Sequence, residues 1–497
     1  MKEILAIDLG TTHCKAITFN MEGEAILTLK ETYATIADEE GKSEQDPDEI
    51  FKAVLNLIKR VLEKRPQIKG ISFSAAMHSL IAIDKNGKPL THAITWADIR
   101  SKVYAEQLMH TEAGDRIYHQ TGTPIHPMSP LCKIIWIRNK FPHIFNNTSK
   151  FISIKEYIFF KLFGKYIVDV SIASATGLFD IYNNTWFDEA LKVAGITAEH
   201  LSTPVAATHI ETELLPEYKT LLKSKNEVAF ILGGNDGSLA NIGCGAINPG
   251  EVALTIGTSG AIRITTDQLK KDDEKRLFNY IITEDLFITG GPVNNGGIVL
   301  KWFTELFNNE ETETDIDKIL EIASAADAGA GNLIFLPYLL GERAPMWDAN
   351  AKGVFFGLDN LHEKKHLARA VVEGICFGMN DILCALEETN GNIENIYASG
   401  GFIQSPFWLQ VLSDIFGKRI IISNVSDASA TGAAIIGMKA LGWINKLEDA
   451  EFLLHKGETF EPNKELHEKY KKLFVIFQML YVKLKDEFHA LSNLKNV

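Results

Sequence analysis

The sequence is poor in cysteine: Cys14, Cys132, Cys244, Cys376 and Cys384 are five in 497 residues, an odd number with no CxxC pair among them. Reduced thiols of a cytosolic protein fit that pattern better than a disulfide framework or a zinc site. Clusters of basic residues are lacking as well. The run Lys270-Lys271 is followed at once by Asp272, Asp273 and Glu274, and the formal net charge is −14. No basic face is therefore present to neutralise the phosphates of a nucleic acid. No apolar run approaches the roughly 18 residues that span a bilayer. The opening MKEILAIDLG meets Asp8 too soon for a signal peptide and reads as a strand. A cytoplasmic protein with no membrane and no nucleic-acid partner is expected. Two phosphate-binding signatures are absent too. GxxxxGK[ST] occurs nowhere, Gly41-Lys42-Ser43 having neither the upstream glycine nor a preceding strand, and no GxGxxG follows a strand.

What is present begins with length: 497 residues and 55.2 kDa exceed one hydrophobic core and predict two domains. The start predicts a three-strand meander, with 4–10 and 14–20 flanking a Gly-Thr-Thr-His turn and 25–33 following a second turn. A helix comes next, with Asp46 as N-cap, Pro47 at its first position and Glu49 completing a capping box. Its apolar face is Ile50, Phe51, Val54, Leu55, Ile58, Val61 and Leu62, and strand 70–76 closes the unit. The second half opens alike: strand 251–257, a Thr-Ser-Gly turn, strand 261–266, then strands 278–283 and 286–290. Helix 366–389, strand 394–401, helix 406–416, strand 419–423 and a small-residue helix near 428–442 follow. The order βββαβ thus recurs, and Leu9-Gly10-Thr11-Thr12 and Ile256-Gly257-Thr258-Ser259 take equivalent places at the first hairpin of each half. Gly243, Gly245, Pro249 and Gly250 cluster between the halves, dividing the chain into 1–247 and 248–497.

The two Gly-Thr-(Thr/Ser) turns can do chemistry together. A phosphate chain held by a hairpin needs backbone N–H groups turned toward it and hydroxyls to complete the shell, which glycine and threonine supply. Asp8, just before the first turn, can hold Mg²⁺ through water. Each turn taken alone is equally a good hairpin. In ILGGNDGSLA (231–240) a strand runs into Gly233-Gly234, exposing Asp236 where it can take a proton from an attacking hydroxyl; Asn-Asp-Gly on its own is also an ordinary turn.

DLGTT (8–12), GGNDG (233–237), GTSG (257–260), LPYLLGERAPMWD (336–348) and ASGGFIQSPFW (398–408) occur in order along the chain. Together they resemble the FGGY family of carbohydrate kinases, from about residue 4 to about residue 445. The resemblance implies an α/β protein of two actin-like (ribonuclease-H-like) ATPase domains with an interdomain cleft, using ATP and Mg²⁺. It makes Asp236 the catalytic base and puts Asp8 near the metal. It assigns Thr11, Thr12, Thr258 and Lys15 to the phosphates, Gly297 and Lys301 to the nucleotide side, and Gly401 and Ser405 to the adenosine. Some relatives have asparagine where Ser405 stands. Glu342 and Arg343 fall in a segment readable as cleft architecture or as a structural ion pair. A homodimer is allowed.

The first half should hold the acceptor. Met77 and His78 end the strand at 70–76, and Trp96, Asp98 and Arg100 at alternate positions can offer a polyol an apolar wall, an acceptor and a fork of donors. Met77 reads equally as core, and His78 as a structural histidine. Glycerol kinases of the family have an Arg-Glu pair at Met77-His78, which disfavours glycerol; xylulokinases share Met-His. SAAMHSL (74–80), TWADIRS (95–101), TGTPIHPMSPLCKIIW (121–136), FISIKEY (151–157) and SIASATGLFD (171–180) are similar to the gluconate kinases of the family. A carboxylate substrate needs a cation, and Arg100, Lys155, His126 and His78 are the candidates, Lys155 being readable also as a surface lysine. Transfer of the γ-phosphoryl group of ATP to the 6-hydroxyl of D-gluconate is the expectation, a xylulose or other ketose kinase its alternative. An actin-like ATPase switch is a distant third, because the tail after residue 445 is too small for a peptide-binding domain.

Overall fold

In the computed structural model the described residues are 2–222, 228–307, 316–454 and 456–494. β1 (Glu3–Leu9) is buried along nearly its whole length, as a strand covered on both faces must be. It is followed by β2 (His13–Asn20), β3 (Ala25–Thr32), α1 (Pro47–Lys64), β4 (Ile68–Ala75), α2 (Ile154–Phe163), α3 (Val170–Ser174), β5 (Ile210–Glu211), β6 (Ala229–Asn235) and α4 (Asp236–Gly243). These strands form one sheet in the order β5-β6-β4-β1-β2-β3. Along β1 the side chains alternate: Leu5, Ile7 and Leu9 join the core with Phe51, Val54 and Ile58 of α1. Ile4 and Ala6 face the opposite cluster. Asp46 caps α1 by accepting from the N–H groups of Asp48 and Glu49, without the reciprocal bond that a capping box would add. Leu57 joins the buried stripe of that helix, and Leu55 lies at its margin.

The second half holds β7 (Val252–Ile256), β8 (Gly260–Thr266), β9 (Phe278–Thr283), β10 (Leu286–Val293), α5 (Gly297–Phe307), α6 (Lys364–Asn390), β11 (Asn395–Ser399), α7 (Pro406–Phe416), β12 (Arg419–Ser423), α8 (Ala428–Ala440), β13 (Lys456–Phe460) and α9 (Lys464–Leu494). Its sheet runs β9-β10-β8-β7-β11-β12-β13. In both sheets the first strand pairs antiparallel with the second. In both it also pairs parallel with the strand reached through helices. Setting aside edge strands, β3-β2-β1-β4-β6 and β10-β8-β7-β11-β12 share one topology, that of the actin-like, ribonuclease-H-like fold. The repeat differs from the expected βββαβ in one respect: β9 is an additional edge strand hairpinned to β10.

The halves also interlock. Helix α8, from the second half of the chain, packs on β1 and β4 of the first sheet and crosses α4. Ala433, Ala434, Ile435 and Ile436 of α8 thus share a core with Ile4, Ala6 and Leu239. The crossing is close because glycine lacks a Cβ: a Cβ on Gly432 would lie 2.0 Å from the Leu239 carbonyl oxygen, and one on Gly243 1.9 Å from that of Ala428. The five cysteines carry free thiols. No described helix is long and apolar enough to cross a membrane.

Candidate active site

The two Gly-Thr turns face one space. Thr11 from the first turn and Gly257, Thr258 and Ser259 from the second line a cavity of about 330 Å³, together with Asp236. In the first turn the Gly10 N–H donates to the His13 carbonyl (3.1 Å). The Thr11 hydroxyl accepts from the Trp96 indole N–H at 3.0 Å, leaving its own hydrogen free. Gln45 Nε2 donates to the Thr11 carbonyl, and the Tyr33 hydroxyl to that of Gly10. Thr12 is exposed, its hydroxyl 2.8 Å from His13 Nδ1. In the second turn the Gly257 N–H reaches the Ser259 carbonyl at 2.8 Å, and the N-terminus of α5 closes down on it. There the Gly297 N–H donates to the Gly257 carbonyl (2.8 Å) and the Ile298 N–H to that of Thr258 (3.0 Å). A Cβ on Gly297 would sit 2.7 Å from that Gly257 oxygen, so only glycine permits the contact.

Asp236 opens α4 where β6 ends. Gly233 takes φ +65°, and a Cβ there would fall 1.8 Å from the Phe73 carbonyl oxygen. Asn235 caps the helix by accepting from the Ser238 N–H (2.7 Å). It is itself fixed by Ser171, whose Oγ accepts from the Asn235 N–H at 2.9 Å and from its Nδ2 at 2.8 Å. The Asp236 carboxylate accepts from the Gly237 N–H at 2.8 Å. Burial raises its pKa, opposed by the charge of Arg263 and by backbone donors. A carboxyl group in this setting holds its proton more readily than an exposed one.

Beside the first turn, Asp8 lies across the strand pair from Lys15. It accepts from the Ser74 hydroxyl at 2.7 Å. Lys15 forms an ion pair with Asp427 at 2.7 Å, and Asp427 caps α8 through the Ala430 N–H at 3.0 Å. Burial, with the negative charges of Asp427 and Asp236, lifts the Asp8 pKa to about 7. The spot therefore holds more negative charge than Lys15 offsets, which suits a divalent cation. Among the described residues no group of three or more His, Cys, Asp or Glu is gathered into a ready-made metal cage. Mg²⁺ does not require such a cage, because it keeps much of its water. Asp427 escaped the sequence reading, although an Asp before a run of small residues is an N-cap signal.

Where the nucleotide is expected, Gly400 at φ +107° packs against the end of β7, where a Cβ would meet the Ile256 oxygen at 2.6 Å, while Gly401 borders open space. Ser405 caps α7, accepting from the Trp408 N–H at 3.2 Å. Lys301 lies one turn into α5, half exposed and 3.8 Å from Glu305.

Of the residues expected to hold the acceptor, Met77, His78 and Trp96 line the cavity. His78 sits at φ +69° with Nδ1 2.7 Å from the Ala175 carbonyl, so Nδ1 carries the hydrogen and Nε2 is left as an acceptor toward Tyr280. Burial, then the nearby Lys133 charge, lowers its pKa to about 3 and keeps it neutral. Three further residues expected at the acceptor have partners within the fold. Asp98, 1% exposed, accepts from the Ser43 N–H at 2.9 Å and from the Arg100 guanidinium at 2.6 Å. Arg100 also pairs with Glu44 at 2.5 Å and lies 4.5 Å over the Trp136 ring, so both charges are consumed within the fold. Lys155 is buried, 2.7 Å from Asp169, and donates to the Gly234 carbonyl at 2.9 Å, bracing the strand end that presents Asp236.

The cations that do line the cavity come from the second half: Arg263 of β8 and Arg343, with Tyr280 of β9 nearby. Glu342 and Arg343 do not pair through their side chains. Glu342 accepts from the N–H groups of Asn294 (2.5 Å) and Arg343 (2.8 Å). The Arg343 guanidinium donates to the Val293 carbonyl at 2.9 Å and lies 5.3 Å over the Trp96 ring. Arg263 could have been noticed as the lone charge in GAIRITT, the strand leaving a Gly-Thr turn.

Residues 3–243 match the N-terminal domain of the FGGY family of carbohydrate kinases, and residues 252–441 match its C-terminal domain. Gluconokinase of Bacillus licheniformis is 41% identical over 500 residues, covering 99% of this chain and 98% of that protein. The crystal structure of gluconate kinase from Lactobacillus acidophilus superposes with a TM-score of 0.95 at 37% identity, over 99% of both chains. Ligand-bound xylulose kinase from the same organism gives a TM-score of 0.95 at 36% identity, over 99% of this chain and 100% of that one. With its two matched halves, its repeated sheet and its paired turns around one acidic cleft, this chain belongs to the FGGY family of carbohydrate kinases.

Proposed function

We propose that the protein transfers the γ-phosphoryl group of ATP to the 6-hydroxyl of D-gluconate, releasing 6-phospho-D-gluconate and ADP. The observation that carries this reading is one cavity bordered by both Gly-Thr turns and by Asp236, in a chain 41% identical to a gluconokinase along its whole length. On this reading residues 1–247 hold the acceptor and the first turn, and 248–497 the nucleotide. The Thr11, Thr12 and Thr258 hydroxyls and the N–H groups of both turns bind the triphosphate, with Lys15 adding charge. Gly297, Lys301, Gly401 and Ser405 border the rest of the nucleotide. Asp8 and Asp427 would hold Mg²⁺, which when bound neutralises phosphate charge. Asp236 takes the proton of the acceptor hydroxyl as that oxygen bonds to the γ-phosphorus and the bond to the ADP oxygen breaks. Met77, His78 and Trp96 form the acceptor wall. The place of work is the cytoplasm.

A second reading, a pentulose kinase, is favoured by the likeness to xylulose kinase. ADP release measured with D-gluconate, D-xylulose and a panel of polyols and aldonates separates the two. The expected result is the highest kcat/KM with gluconate; a higher value with xylulose overturns the assignment.

A further inference from the structure

Of the described residues lining the cavity, only Arg263 and Arg343 carry a permanent positive charge. The permanent cations expected to meet an anionic acceptor are engaged elsewhere: Lys155 with Asp169, and Arg100 with Asp98 and Glu44. Arg263 differs from all of these. Its Nε and Nη1 are buried and have no hydrogen-bond partner. Its guanidinium lies against the first turn of α4, where a Cβ on Gly237 would meet Nη2 at 3.2 Å and Nε at 3.3 Å. Asp236 is near enough to attract Arg263 electrostatically, yet neither Nε nor Nη1 bonds to it. Arg343 has one partnered nitrogen, Nη2 on the Val293 carbonyl, while its Nε is buried without a partner.

Two guanidinium groups held close in a buried cleft repel each other, and burial with Arg263's charge contributes to lowering the Arg343 pKa to about 10. Unmet donors on a buried cation are costly. Such an arrangement is compensated by an anion with two coplanar oxygens, which a guanidinium fork matches. The chain's net charge of −14, and Asp8, Asp236 and Asp427 around the cleft, would otherwise repel an anionic acceptor.

We propose that Arg263, with Arg343 beside it, binds the carboxylate of the acceptor and selects a sugar acid over a neutral polyol of the same carbon chain. The proposal rests on the reading of the site as a sugar-acid kinase and assigns its specificity to β8, outside the half that carries the acceptor wall. Met77, His78 and Trp96 contact the middle of the chain, and the carboxylate end meets Arg263.

The test compares D-gluconate with D-glucitol, which replaces the carboxylate by a hydroxymethyl group. Isothermal calorimetry of the wild-type full chain should give gluconate the lower dissociation constant, by roughly 10²-fold or more. In Arg263→Gln the KM for gluconate should rise roughly 10²- to 10³-fold, while binding of glucitol stays within a few fold of wild type. Arg263→Lys, which keeps the charge and loses the fork, should fall between the two, and it serves if the Gln variant does not fold. Equal affinity of the wild type for both compounds overturns the proposal. So does a loss in Arg263→Gln that is the same for both, which would make Arg263 a support for Asp236. A wild type active on ketoses and inert on gluconate removes the sugar-acid reading itself, and the proposal with it.

Discussion

Lys155 separates two roles that its sequence context allows equally. Its side chain is 2% exposed, with the ammonium group 2.7 Å from the Asp169 carboxylate, which is itself fully buried. Replacing it by methionine keeps the volume and removes the charge. Asp169 then remains in the core with no counter-ion, and its Oδ2 has no other hydrogen-bond partner. Removing one member of a buried ion pair costs about 3–5 kcal/mol. For a unit of this size that corresponds to a melting transition lower by roughly 6–20 °C. The Gly234 carbonyl also loses its donor, loosening the corner that presents Asp236, so kcat should fall while KM for gluconate stays within about threefold. Asp169→Asn added to Lys155→Met should restore part of the stability, because it removes the uncompensated charge. Differential scanning calorimetry and steady-state kinetics on the single and double variants give both readouts. If Lys155→Met melts within a degree or two of wild type while KM for gluconate rises tenfold or more, Lys155 binds substrate and its structural assignment is wrong.

Asp236→Asn should lower kcat by roughly 10²- to 10⁴-fold with an unchanged melting temperature; near-normal turnover would place the base elsewhere. Because the pKa of Asp236 is raised and a base works deprotonated, kcat/KM should fall on the acid side with a midpoint above the ordinary carboxylate value of 3.8. An acid limb absent down to that value would contradict the burial of the group. His78 and His126 are both lowered to about 3 from 6.5, so the unfolded chain binds more protons between those values. Their contribution is whole above pH 6.5 and is lost as pH falls, by about 2 kcal/mol for the pair between pH 6.5 and 5.5. Urea midpoints at the two pH values check this, and His126→Gln should reduce the difference by about half. Gly432→Ala forces a Cβ to 2.0 Å from a backbone oxygen and should cost about 1–3 kcal/mol or more, whereas Gly378→Ala, whose nearest neighbour would be Pro337 at 3.8 Å, should stabilise by about 0.5–1 kcal/mol. Denaturant titration of both variants is the comparison.

Strands and helices with a clear period were readable before any coordinates, and so were the two turns, because Gly-Thr-Thr and Gly-Thr-Ser carry their backbone requirement in the residues themselves. Asp236 was readable for the same reason: the Gly233 conformation that exposes it leaves a glycine in the chain. What was hidden depends on neighbours distant in sequence. Asp98 and Arg100 look like a polyol site from their spacing, yet Ser43, Glu44 and Trp136 absorb them. Arg263 and Asp427 enter the cleft from the second half of the chain, far in sequence from the acceptor wall at 77–96. The edge strand β9 was visible as a strand but not as an addition to the repeat, since pairing order is a tertiary property.

The crossing of α4 and α8 acts as a fulcrum. Backbone meets backbone there, with no side chains between Gly432 and Leu239 to cushion a change of angle, and the Ser429 hydroxyl donates to the Asp236 carbonyl at 3.3 Å. A lever moves least at its support. Any change of angle between the two sheets must therefore be taken up away from this joint, and the start of α4, where Asp236 stands, is held against α8. The same joint means that the first sheet is roofed by residues more than 400 positions along the chain, so a fragment cut at 247 would be left with an uncovered apolar face.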